Sequence, residues 1–239
     1  FLGETGTFNG SDIIDIICKQ DATARFIARH LYHFFVADDL PVPQWRYSPP
    51  KDPKAIELMT RAYFESEYNI RAMLRVLFNS EFFKSEEAMF ARIKSPSEMV
   101  VGVLRLAGGL HIPSTECYDA AKICSYMGQD LMNPPSVEGW YGGPDWINTG
   151  AYVERINFAS KILADSTRPR IQEFIQRMDE ANEDSITSID SLINSCLEFV
   201  GPLTLSSDTY QSIRNYAVDC KERESQGESK SLGENVTAV

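Results

Sequence analysis

Three groups of side chains have the type and spacing to do chemistry. The first lies in Asn133–Asn148, where Trp140, Tyr141 and Trp146 offer ring faces on which a sugar could stack, with Asp145 and Asn148 as hydrogen-bonding groups. The same rings can serve as wedges that fix an irregular segment over helix ends, because an aromatic ring with a polar handle suits both tasks. The second group is two arginine pairs at i, i+4, Arg25 with Arg29 and Arg71 with Arg75. Guanidinium forks match the planar oxygens of a carboxylate or sulfate, so these four could bind an anionic ligand if their helices meet. Against that stand 34 acidic side chains, which give arginines ready internal partners. The third group is His30 and His33, three apart on a helix as two ligands of one metal would be, but no third ligand follows at a recognisable spacing and no metal site is read. His111, beside a helix exit, suits a partner for the helix dipole better than a base.

Hydrolysis by paired carboxylates would need two acids on facing elements, and Asp145 with Glu138 or Glu154 is the conceivable set. In so acidic a chain that pairing carries little specificity. The sequence holds no Gly-x-Ser-x-Gly elbow, no phosphate-binding Walker loop, no His-Glu-x-x-His and no Cys-x-x-Cys, so neither a catalytic residue nor a cofactor is assigned. Gly142-Gly143 fits a tight turn. Asn9-Gly10-Ser11 and Asn235-Val236-Thr237 have the glycosylation pattern, but triplets this short arise by chance.

The elements that must position these groups are helical throughout. Ser11 or Asp12 can cap a first helix, and Thr23 to about Ala37 carries Ile27, Leu31, Phe34 and Phe35 as one stripe of period 3.6. Five prolines make Leu40–Pro53 an extended surface run, which ends where Asp52-Pro53 starts a helix facing inward through Ile56, Met59 and Tyr63. Ile70–Asn79 presents Ile70, Met73, Leu74, Leu77 and Phe78 inward, with Arg71 and Arg75 opposite. Ser95-Pro96-Ser97-Glu98 is a capping box opening a helix that exits at Gly108-Gly109. A helix from Thr115 to about Gln129 leads into the tryptophan loop, and Asn148 or Thr149 can cap the one after it. Beyond Asp165 three further helices are expected: Arg170–Ala181, one through Ile186, Ile189, Ile193, Cys196, Leu197 and Val200 closed by Gly201-Pro202, and one capped by Ser206 or Ser207. No alternating segment longer than four residues exists. The expected fold is all-α, an irregular multihelical bundle with a long Pro/Gly/Trp loop over helix ends, divided as a core at 1–165, a helical extension at 166–221 and a disordered tail at 222–239.

The totals exclude some functions. A net charge of −11 and pI near 4.8 argue against a nucleic-acid binder, which needs a basic surface. No run approaches the ~18 uncharged apolar residues of a membrane span, so an integral membrane protein is not expected. The five cysteines do not form a disulfide framework, and Cys117 and Cys124, seven apart on one helix, stand roughly 10 Å apart at ~1.5 Å per residue. The chain opens on Phe1 without a basic-then-apolar export signal, so a preceding segment is expected.

Several stretches together resemble the bacterial family of proteins with domain-of-unknown-function 1800. They are Thr7-Phe8-Asn9-Gly10, Thr23–Arg29 with Phe34-Phe35-Val36, Tyr68–Arg75, Lys94-Ser95-Pro96, Gly128-Gln129 through Pro134-Pro135 to Gly139-Trp140, Trp146-Ile147-Asn148, and Arg155–Ala159. The order and spacing match over residues 1 to about 165, and the tail after Leu205 resembles the family loosely. Where members tend to have Trp-Pro, this chain has Trp140-Tyr141. The resemblance implies that the chain corresponds to the C-terminal half of a longer helical protein. It also implies an exported, periplasmic or cell-surface setting and a sulfatase-like protein partner. It transfers no activity and no catalytic residue. The expected function is a binding or structural module for a partner protein or a cell-surface polysaccharide, the alternative being a hydrolase or carbohydrate-active enzyme completed by the preceding half.

Overall fold

The computed structural model describes residues 1–109, 113–184, 188–201 and 203–225, and these are helical with no β-strand among them. His111, Ile186, Pro202, the Asn235 triplet and the tail from 226 on lie outside the described residues. The chain divides into two compact units, Phe1–Lys94 with Tyr141–Asp145, and Ser95–Trp140 with Trp146–Val239.

The first unit is built from α1 (Gly10–Cys18), α2 (Asp21–Phe35), α3 (Pro53–Glu65), α4 (Ile70–Asn79) and the single turn α5 (Glu81–Lys84). Asn9, not Ser11 or Asp12, caps α1: its side chain accepts from the N–H groups of Ser11 and Asp12, and Asp12 returns a bond to the Asn9 N–H. That role explains Asn9 without a glycan. Asp52 caps α3 ahead of Pro53, and Asn69 caps α4. The core joins Ala24, Ala28 and Tyr32 of α2 to Ala55, Ile56, Met59 and Tyr63 of α3 and Met73 and Leu77 of α4. The buried stripe of α2 is therefore rotated from the one that periodicity picks out. Small alanines on both α2 and α3 let the backbones approach, and the larger Ile27, Leu31 and Phe35 pack only at the margin, while Phe34 is 60% exposed beneath the guanidinium of Arg92. On α4, Ile70 and Phe78 are likewise exposed, leaving Met73 and Leu77 to fill the core. The Tyr63 hydroxyl donates to the Cys18 carbonyl at 3.0 Å, tying the end of α1 to α3. Burial and that bond push the Tyr63 phenol up to about 12, so it remains a donor.

The second unit contains α6 (Pro96–Ala107), α7 (Thr115–Tyr126), α8 (Thr149–Leu163), α9 (Pro169–Asp184), α10 (Ile189–Val200) and α11 (Ser207–Ser225). The capping box of α6 forms as the sequence predicts, with Ser95 Oγ accepting from the Glu98 N–H and Glu98 from the Ser95 N–H. The Gln129 side chain adds a further acceptor, 2.8 Å from the Ser97 N–H. At the other end Gly108 takes the left-handed conformation, φ +85°, which with the Gly109 N–H bonded back to Leu104 closes the helix. A Cβ at Gly108 would meet the Arg170 backbone at 2.8 Å. Val100, Leu104 and Ala107 pack against Ala120, Cys124, Phe158, Ile162 and Ile171 in one core. A smaller cluster, Phe174 and Met178 with Leu192, Cys196 and Phe199, holds α9 to α10. All five cysteines are free. Helix α11 runs to Ser225, past the start expected for the tail.

Candidate functional site

The sequence-selected loop contributes little open chemistry. Trp146 is 7% exposed, and Trp140 is half-buried with its Nε1 enclosed and unpartnered. No ring contact joins these two among the described residues. Asn148 is the cap of α8, its Oδ1 accepting from the Ala151 N–H at 2.9 Å, so its polar oxygen is already committed. Tyr141 and Asp145 are exposed and belong to the first unit. Gly143 is buried with φ +56°, and a Cβ there would lie 3.2 Å from Asp38 Cγ, which is why this turn requires glycine. Residues 131–138 are all exposed, so the packed part of the loop is its second half. Glu138 is exposed too, and Glu154 is half-buried on α8.

Two of the four arginines come together with residues that periodicity did not single out. Arg25 and Arg29 face a strap, Leu40–Pro50, folded back along α2, and together they line a groove of about 630 Å³. The strap is irregular, with one 3₁₀ turn at Val42–Gln44 instead of the extended run expected from its prolines. Arg29 is its anchor. The side chain is 7% exposed and forks onto Asp39, itself 4% exposed, through Nε–Oδ2 at 2.7 Å and Nη2–Oδ1 at 3.1 Å. Two further donors go to the carbonyls of Ser48 at 2.9 Å and Pro49 at 3.1 Å. Trp45 lies across the same guanidinium, 4.7 Å from centroid to Cζ, and donates its Nε1–H to the Leu40 carbonyl at 2.6 Å. Its ring also contacts His30 at 4.6 Å and Phe26 at 5.7 Å. The Asp39 N–H donates to His33 Nδ1 at 2.9 Å. Both histidines thus have structural duties, and among the described residues no group of three or more metal-type ligands gathers.

Burial alone would raise the Asp39 carboxyl, but the Arg29 hydrogen bonds, the Leu40 N–H, the Arg29 charge and the neighbouring His33 outweigh it and hold the group below the usual carboxylate range. His30 is lowered, first by burial and then by its neighbour His33. The strap is therefore held by a buried, paired arginine with four of its N–H groups bonded, and the His30 ring packs against the indole.

Around that anchor the groove presents Arg25, Arg46, Phe26, Trp45, Tyr47 and Ser48, and no Asp or Glu lines it. Arg25 pairs with Asp21 at 2.6 Å, but both side chains are more than half exposed, so the pair is weak and exchangeable. Arg46 is exposed over the Tyr47 ring, whose residue is 81% exposed. The groove can stack a flat or ring-shaped group on Tyr47 and neutralise an oxyanion with Arg25 and Arg46. Arg71 and Arg75 are exposed on α4 and do not line it. The signal that could have revealed this site is Trp45-Arg46-Tyr47 between two proline pairs, an aromatic–basic alternation hidden within a segment that reads as a connector.

Fold and site define an all-α protein with an arginine–aromatic groove in its first unit. The chain belongs to the family described as protein of unknown function (DUF1800), whose model matches residues 1–238. The match extends well beyond the residue-165 limit of the motifs visible by eye. No curated protein and no solved structure matches the chain. No helix among the described residues is long and apolar enough to cross a membrane.

Proposed function

We propose that the chain is a non-enzymatic binding module whose arginine–aromatic groove takes an acidic surface polysaccharide, in the extracytoplasmic setting that the family resemblance implies. The observation that supports this reading most is the lining: three arginines and three aromatic rings in one groove without a carboxylate, in a chain of net charge −11. Arg29 is committed to Asp39 and two carbonyls, so it shapes the groove, and the ligand charge falls to Arg46 and Arg25. The exposed Tyr47 ring supplies the stacking face that a pyranose prefers. Binding should weaken as salt rises, because these two arginines are solvent-facing. An array of neutral, carboxylated and sulfated glycans, with acidic peptides beside them, tests the reading at low and physiological salt. Retention of acidic glycans over neutral ones, lost on Arg46→Ala or Tyr47→Ala and kept on Arg71→Ala, is the expected result. Retention of acidic peptides alone would replace the polysaccharide by a partner protein. Indifference to Arg46→Ala would remove the groove from the account.

A further inference from the structure

We propose that the second unit carries a separate ligand site, an apolar cavity that takes an uncharged hydrocarbon group of about benzene size. The cavity measures about 150 Å³, is lined by the end of α8 with α9, α10 and α11, and opens to solvent on one side. Its wall includes Leu163, Ile171, Phe174, Ile193, Phe199 and Ile213, and among the described residues the one side-chain heteroatom lining it is the sulfur of Cys196. Burial pushes that thiol up to about 11, so at neutral pH it is an uncharged, weakly polar group. Such walls give water few hydrogen-bond partners, so replacing water there by a hydrocarbon group is favourable. Phe174 and Phe199, 4.8 Å apart and tilted by 32°, form an aromatic face against which a flat ring packs. One larger residue in place of the small Cys196 would fill much of the space, and the chain does not place one there. Val200 and Leu203 are both exposed and sit where the cavity meets solvent.

The absence of any charged group from the wall fixes the chemistry of the occupant to hydrocarbon and leaves two sources for it. A free ring would enter whole. An alkyl chain would insert its end past Val200 and Leu203 and keep its polar head in water. Thermal melts of the full chain with benzene, and separately with decanoate against an acetate control, distinguish the two. A saturable rise in Tm on the order of 3–6 °C at about ten times Kd is expected with benzene, decanoate or both. Benzene alone assigns a free ring, and decanoate as well assigns a chain end. The rise should vanish in Cys196→Leu and Leu197→Phe, which narrow the space. A readout that needs no variant is the rate of Cys196 alkylation by a maleimide, followed by peptide mass spectrometry, which whichever probe raises Tm should slow several-fold. Absence of any Tm rise with both probes, equal rises in the folded filling variants, or an unchanged Cys196 alkylation rate would each overturn the proposal.

Discussion

Arg29→Ala puts the strap's construction to the sharpest test. The substitution strands Asp39, a carboxylate 4% exposed, and leaves the Ser48 and Pro49 carbonyls without their donor. Removing one member of a buried ion pair costs roughly 3–5 kcal/mol, because the survivor stays buried and uncompensated. Loss of the guanidinium under the Trp45 ring adds about 0.5–2 kcal/mol. In a chain of this size the total corresponds to a fall in Tm of roughly 7–28 °C. Replacing both partners, Arg29→Met with Asp39→Leu, should recover much of this, since neither leaves a lone charge. Urea and thermal unfolding give the stability, and hydrogen exchange at the Asp39 and Leu40 amides reports the strap locally, because the first is bonded to His33 and the second to the Asp39 carboxylate. A loss below about 1 kcal/mol for Arg29→Ala, or strap amides exchanging no faster than in the wild type, would refute the reasoning.

Three further outcomes follow from the same geometry. Gly143→Ala should destabilise by about 1–2 kcal/mol from its positive φ and the approach of Asp38, whereas Gly102→Ala, mid-helix in α6 with nothing within 4 Å of the new Cβ, should stabilise by about 0.5–1 kcal/mol in the same unfolding assay. Trp146→Ala should cost about 3–5 kcal/mol, but Tyr141→Ala, at a residue 67% exposed, should stay within about 0.5 kcal/mol; equal costs would dissolve the distinction between buried and surface ring. The pH profile carries a sign. His30 binds its proton less readily folded than unfolded, so the stability this gives is complete above the unfolded value of 6.5 and is lost as pH falls from there through the folded value. Asp39 is also lowered, so its share is present above 3.8 and is lost as pH falls through its folded value. Stability against pH should thus show two acid limbs, and His30→Gln should erase the upper one.

Local signals in the sequence were sufficient wherever the deciding interaction is local. The capping box at Ser95, the proline start at Asp52-Pro53 and the cap at Asn148 all rest on contacts within three residues, and each forms. Asn148 had also been a ligand candidate, and its bond to the Ala151 N–H shows how a polar residue at a helix start is absorbed by the backbone. What periodicity missed depends on partners far along the chain. The face of α2 is chosen by the alanines of α3, which favour close backbone approach over bulk, so Phe34 points outward although it fits the hydrophobic stripe. Arg29 reads as a surface residue until Asp39 and the carbonyls of the strap, 10 to 20 residues away, enclose it. Trp45 belongs to a segment whose prolines predict only an extended path, and its role is fixed by α2 across the fold.

The groove's function is tested most directly by calorimetric titration of an acidic oligosaccharide into the wild type, Arg46→Ala and Arg71→Ala. Saturable binding that weakens with salt, falls at least about tenfold in Arg46→Ala and is unchanged in Arg71→Ala is the expected pattern, since a charge-assisted contact contributes about 1.5–3 kcal/mol. Equal affinities in all three proteins, or no heat above dilution at low salt, would contradict it.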